Sequence, residues 1–212
     1  MKTDKEFIRK VFENHRANPV GMHRFYTVLV PLVEKEGEMF ILLEKRSEDI
    51  KADPGEICFP GGRMEGAETP EQCAVRETVE ELGIGSDDIE LVGEGNTLYG
   101  YANYTIFSRI GFIDYETFEK IRPNSAEVGE VFLLPLSYFM ENEPEIYTEP
   151  VDFHPTVFPY ERVSIPPDYK WRTGKWEIPV YETEGRIVWG LTARIIRSTV
   201  ETLRVYKIHR KI

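Results

Sequence analysis

At 212 residues the chain is long enough for one domain with a full hydrophobic core, and its length gives no reason to demand two. With 41% hydrophobic, 30% charged and 12% aromatic residues it falls outside the disordered and fibrous classes, and no apolar run approaches the length of a membrane span. A net charge of -11 repels nucleic acid and anionic membranes, so an anionic substrate would need a positive intermediary, and a divalent cation would serve.

The N-terminal stretch MKTDKEFIRKVFENHR is charged throughout and lacks the apolar core of a secretion signal, which leads us to expect a cytoplasmic protein. Two cysteines, Cys58 and Cys73, are too few for a disulfide framework and suit a reducing compartment. Residues 4–16 carry Phe7, Ile8, Val11 and Phe12 at helical spacing and predict an amphipathic helix that packs on the domain. Strands are expected at 27–33 and 39–46, joined by a turn at Glu36-Gly37-Glu38. From Glu48 to Glu68 the chain is rich in Gly, Pro, Asp and Glu, interrupted by Ile57-Cys58-Phe59; a long loop of this kind inside a compact domain is usually functional.

The next segment carries a full set of helix punctuation. Thr69 is placed as N-cap, Pro70 at the first helical position, Gln72 to close a capping box, and Gly83 to end the helix, which predicts a helix over 70–82. Further strands are expected at 89–95, 104–113 and 129–134, with a short helix at 136–140. Residues 143–169 are rich in Pro and aromatics without clear periodicity and read as an ordered surface excursion. A hairpin of 177–182 and 185–190 turns about Thr183-Glu184-Gly185, and a closing helix from Leu191 to about Ile208 turns Ile195, Ile196, Val200 and Leu203 inward. The expected organisation is one domain over 1–212, with a helical extension at 1–20 and an insertion at 142–176.

A helix advances about 100° per residue, so Glu77, Glu80 and Glu81 fall on one face, with Val75, Thr78, Val79 and Leu82 on the other. Three carboxylates so placed repel one another, and Mg²⁺ or Mn²⁺, which prefers oxygen ligands, relieves that repulsion. The competing reading is a solvated acidic face. Phe59-Pro60-Gly61-Gly62, just upstream, is a loop whose backbone carbonyls suit a metal and whose small residues let a phosphate approach.

These residues resemble the signature of the Nudix hydrolases, G-x5-E-x7-R-E-U-x-E-E-x-G-U, with U aliphatic. It runs here as Gly62, Glu68, Arg76, Glu77, Thr78, Glu80, Glu81, Gly83 and Ile84, every fixed position in register, with Thr78 in an aliphatic place on the buried side. The resemblance implies an α+β fold, a mixed β-sheet between α-helices, and a metal-dependent pyrophosphohydrolase. It implies Glu77 and Glu81 as primary ligands of Mg²⁺ or Mn²⁺, assistance from Glu80, a ligand from the Gly61 carbonyl, and a structural pairing of Arg76 with Glu68.

The upstream stretch from Leu42 to Gly62 resembles the L-L-T-x-R-[SA]-x3-R-x3-G-x3-F-P-G-G extension of the coenzyme A pyrophosphatase branch. Leu42, Leu43, Arg46, Ser47, Gly55, Phe59, Pro60, Gly61 and Gly62 match, while Glu44 stands in the threonine's place and Lys51 in that of the second arginine. Residues 129–137 and 188–197 also look like this branch. The resemblance implies cleavage of coenzyme A or a derivative to 3′,5′-ADP and 4′-phosphopantetheine; the alternatives are ADP-ribose, NADH or another nucleoside diphosphate derivative, and a nucleotide-binding module without catalysis. Members of the family are often homodimers, so a homodimer is possible on that ground.

The general base is open between Glu80 and Glu127; Glu127 could instead ligate metal or be an ordinary loop acid. Arg46, Lys51 and Arg63, with Gly61 and Gly62, are the candidate substrate-binding residues, surface ion pairing being the competing reading for the three cations. Tyr99, Tyr101 and Tyr104, or the aromatics of 142–176, are candidates for stacking on adenine, set against a core or lid role. The histidines show no metal-ligand spacing.

Overall fold

The computed structural model describes residues 3–15 and 17–209; the first two positions, the end of the expected N-terminal helix at 16, and the last three positions lie outside them. In chain order the elements are α1 (Lys5–Glu13), β1 (Arg24–Lys35), β2 (Glu38–Arg46), β3 (Ile57–Cys58), β4 (Gly61–Arg63), α2 (Pro70–Leu82), a 3₁₀ turn (Ser86–Asp88), β5 (Glu90–Glu94), β6 (Leu98–Gly100), β7 (Tyr104–Phe112), α3 (Tyr115–Lys120), β8 (Val128–Pro135), α4 (Leu136–Glu141), β9 (Glu145–Val151), β10 (Gly174–Thr183), β11 (Arg186–Trp189) and α5 (Gly190–His209). Local chemistry accounts for the sharpest boundaries. Thr69 and Gln72 close a reciprocal capping box at the start of α2, and Gly83 ends it in the left-handed conformation. Both β-hairpin turns place two successive residues at positive φ, Glu36-Gly37 and Glu184-Gly185, the conformation whose twist matches the paired strands.

The main sheet is mixed. β1 runs at its centre, antiparallel to β2 and β4 and parallel to β7, while β8 and β3 flank β2 and β5 and β6 flank β7. Strand alternation gives the sheet two apolar faces. Val30, Leu32, Ile41 and Leu43 join a core with Ala193, Ile196 and Val200 of α5 and with Tyr181 and Val188 of the smaller β9–β10–β11 sheet. Leu29, Val33 and Leu42 join a second core with Ala74 and Leu82 of α2 and Ile113 and Ile121 beside α3. The result is the expected mixed sheet between helices.

Four local expectations are corrected. The helix α1 forms, held by Asp4 accepting from the Phe7 N–H, but buries no residue, so it is not a packing element of the domain. Residues 145–151, read as part of an irregular excursion, are a strand paired with β10. Leu203, expected inward, is exposed, because the core beneath α5 ends near Val200. On α2 the buried stripe is Ala74, Thr78, Glu81 and Leu82, with Val75 and Val79 only half-buried. The helix is thus rolled so that Glu81, expected on the open face, lies against the sheet.

Candidate metal centre

Gly61 and Gly62 sit in β4, whose pairing with Thr27 and Val28 of β1 presses the glycine loop against the centre of the sheet. From the other side α2 lowers its carboxylates onto that loop. The Gly61 N–H donates to Glu81 Oε2 at 2.8 Å. A Cβ on Gly62 would stand well inside contact distance of the carboxyl carbon and Oε1 of Glu77, so the absence of a side chain there is what lets this carboxylate lie on the loop. On Gly61 a Cβ would run into the Thr27 carbonyl oxygen and stand 2.7 Å from Val28 Cα.

Arg76 organises the acids around it. It grips Glu68 through two bonds, Nε to Oε2 at 3.2 Å and Nη2 to Oε1 at 2.9 Å, as the resemblance implies. Its Nη1 also donates to Glu77 at 2.9 Å and to Glu80 at 3.3 Å. The hydrogen bonds from Arg76 and from the Glu65 N–H hold the Glu68 carboxyl down to about 2. Glu81 is almost wholly buried, and burial, then the negative charges of Glu44, Glu77 and Glu127, push its carboxyl well above the usual range. Burial also raises Glu77, with Arg76 opposing it. Thr78, in the aliphatic place of the signature, is fully buried and donates to the Ala74 carbonyl at 2.7 Å, which satisfies its hydroxyl within the helix.

Glu127 is brought to this cluster from outside α2. The Asn124 N–H donates to the Glu81 carbonyl at 2.9 Å, and the Ser47 N–H donates to the Glu127 carbonyl at 2.8 Å, so the loop before β8 is fastened between α2 and the end of β2. The charge of Glu127 acts on Glu44, Glu77 and Glu81 alike. Glu80 is the most exposed of the three helix carboxylates, at 55% against 17% for Glu77. Among the described residues no three acid, His or Cys side chains stand in ready-made ligating positions: the oxygens of Glu77 and Glu81 are turned to Arg76 and to the Gly61 N–H. The donor set nonetheless fits a hard divalent cation. It is all oxygen, it lies on a cradle that a Cβ would fill, and Glu44 nearby has a buried oxygen without a partner among the described residues.

The candidate cations fall in different places. Arg46 donates through Nε to the Ala52 carbonyl at 3.2 Å, and its charge acts on Glu44. Lys51 is exposed in the turn that follows β2. Arg63, directly after Gly62, lines a cavity of about 530 Å³ with Gly21, Met22, His23, Arg24, Ala102 and Asn103. Sequence reasoning passed over His23 and Arg24, which no motif marks; the antiparallel pairing of β1 with β4, which sets Tyr26 opposite Arg63, brings them to the same end of the sheet. Tyr101 meets Trp176 edge to face with ring centres 5.0 Å apart, and Tyr104 meets Tyr26 at 6.4 Å.

Comparison with known proteins gives a consistent picture. The NUDIX domain profile matches residues 23–156. A peroxisomal coenzyme A diphosphatase of Mus musculus is 34% identical over 145 residues, covering 68% of this chain and 59% of that protein. Nudix hydrolase 3 of Caenorhabditis elegans is 38% identical over 112 residues, 52% of this chain and 47% of that protein, so the chain spans about half the length of these two relatives. A mitochondrial coenzyme A diphosphatase of Homo sapiens is 29% identical over 192 residues, 89% of this chain and 71% of that protein.

Proposed function

The chain belongs to the NUDIX domain family, and from that premise we propose that it is a metal-dependent pyrophosphohydrolase of nucleoside diphosphate-linked substrates, with coenzyme A or a derivative as the substrate. The observation that carries the reading is the seating of Glu77 on Gly62 and of Glu81 on the Gly61 N–H, two carboxylates folded onto a bare backbone loop, with Arg76 holding Glu77. Glu77, Glu81 and the Gly61 carbonyl would hold Mg²⁺ or Mn²⁺, with Glu80 and Glu127 at its margin. A bound divalent ion supplies charge neutralisation at the pyrophosphate oxygens and lowers the pKa of water.

The chain's own residues do the rest. Arg76 keeps the loop and helix in one geometry through Glu68. Glu80 and Glu127 are the exposed acids of the cluster, and on this reading one of them would take a proton from water arriving from solvent. Arg24 and Arg63 give an acidic protein a cavity of about 530 Å³ with two cations in its lining, suited to an anionic part of the substrate. Coenzyme A is favoured by the Leu42 to Gly62 stretch and by the names of two of the relatives. A homodimer belongs to the same proposal on family resemblance, and sedimentation in solution tests it.

The test is mass analysis of products after incubation with coenzyme A, ADP-ribose or NADH in Mg²⁺ or Mn²⁺. The expected products are 3′,5′-ADP and 4′-phosphopantetheine. Preferential turnover of ADP-ribose would overturn the substrate, and hydrolysis unchanged in Glu81→Gln would overturn the metal mechanism.

A further inference from the structure

We propose that Glu44 is an additional carboxylate ligand of the metal centre, placed on the sheet beneath α2, so that the innermost cation is held between Glu44 and Glu81. The inference rests on the metal-site reading above and extends it to a residue outside the signature helix.

Strand alternation fixes where Glu44 points. Ile41 and Leu43 of β2 join the α5 core, and Leu42 joins the α2 core, so Glu44, two residues beyond Leu42, faces α2 as well. It is 1% exposed. Its neighbours in register are Cys58 of β3 and Val131 of β8, neither of them a cation. Oε1 accepts a weak bond from the Cys58 thiol at 3.5 Å, and Oε2 is buried with no hydrogen-bond partner among the described residues. The charged groups that act on it are Arg46, Glu127 and Glu81, whose own carboxyl feels the charge of Glu44 directly.

A structural role does not account for this arrangement. A carboxyl group that packs between strands would be satisfied by hydrogen bonds or an ion pair, and a leucine would fill the place without an orphan oxygen. A hard divalent ion supplies what Oε2 lacks, and it also screens Glu44 from Glu81, the acid it repels.

The test compares Mn²⁺ binding, read by electron paramagnetic resonance at fixed pH, in the wild type, Glu44→Gln and Glu44→Leu, together with thermal melts in EDTA. Both variants are expected to bind Mn²⁺ about tenfold or more weakly and to melt in EDTA no lower than the wild type, because the group removed has only the weak thiol bond to Oε1 there. Wild-type Mn²⁺ affinity in both variants would overturn the proposal. So would a melting temperature lowered in both, which would mark Glu44 as structural. If the wild type binds no Mn²⁺, the proposed function falls too; if the wild type binds and hydrolyses and the variants match it, only the role of Glu44 falls.

Discussion

Two adjacent glycines give the sharpest separation of fold from function. In Gly62→Ala the new Cβ overlaps the carboxyl carbon and Oε1 of Glu77 and stands 2.5 Å from Oε2, so the carboxylate must leave its seat. What it displaces is the free end of a side chain, and the Gly62 backbone is one that alanine adopts. Fold stability therefore changes by no more than about 1 kcal/mol, or roughly 2–4 °C for a domain of this size. Metal affinity, by contrast, loses a ligand and is expected to fall about 10–100-fold, with hydrolysis falling alongside. In Gly61→Ala the new Cβ strikes the Thr27 carbonyl oxygen and Val28 Cα, backbone atoms of the central strand, at a φ of 154°. Overpacking at about 1–3 kcal/mol and backbone strain of similar size add to about 3 kcal/mol or more, a melting temperature lower by roughly 6–12 °C. Thermal melts in EDTA, paired with Mn²⁺ titration, read both quantities on the same samples. Gly62→Ala that binds Mn²⁺ like the wild type, or that melts as low as Gly61→Ala, would refute the seating of Glu77 on the loop.

Three further outcomes are expected. In EDTA the folded protein keeps protons on Glu44 and Glu81 that the unfolded chain has released, since burial raises both carboxyls; stability should fall as pH rises from the ordinary carboxylate range through neutrality, and Glu44→Leu should flatten that fall in melts between about pH 5 and pH 8. Arg63→Ala should raise KM for the substrate roughly tenfold or more through loss of a charged contact, with less effect on kcat and none on Mn²⁺ affinity; steady-state kinetics beside Mn²⁺ titration checks this. Val151 and Gly174 are register partners at the base of the long connection, so replacing 152–173 with a two-residue Asn-Gly turn should leave the melting temperature within about 4 °C of the wild type and Mn²⁺ affinity unchanged. Loss of folding in that variant would show that its aromatic cluster, Phe153, Phe158, Tyr169 and Trp171, supports the domain.

Elements whose signals are local could be read from the sequence. Thr69, Pro70, Gln72 and Gly83 place the ends of α2 because capping involves only neighbours in the chain, and Glu36-Gly37 and Glu184-Gly185 mark turns for the same reason. Elements that depend on a distant partner could not. β9 carries Pro150 and has no buried side alternating with an exposed one; it exists because β10 pairs with it from the far end of a long connection, and as an edge strand it tolerates the proline. The amphipathic pattern of α1 predicts the helix that forms, yet periodicity says only that an apolar stripe exists, and here Ile8, Val11 and Phe12 remain exposed.

The same limit governs the site. Helical spacing puts Glu77, Glu80 and Glu81 within one arc, but the roll of that arc is fixed by Ala74, Thr78 and Leu82 packing on the sheet, and it carries Glu81 under the helix. Once Glu81 lies there, the residue below it matters, and that residue is Glu44, which looked in the sequence like a lost threonine of a recognition motif. A second acid below the first raises the cost of leaving the site without a cation, because burial and mutual repulsion act on both. Arg76 cannot offset that cost, for its donors are committed to Glu68, Glu77 and Glu80 on the outer side. The departure from the motif thus deepens the acidic cluster on the side the arginine does not reach, and it is there that a metal ion would stabilise the fold most.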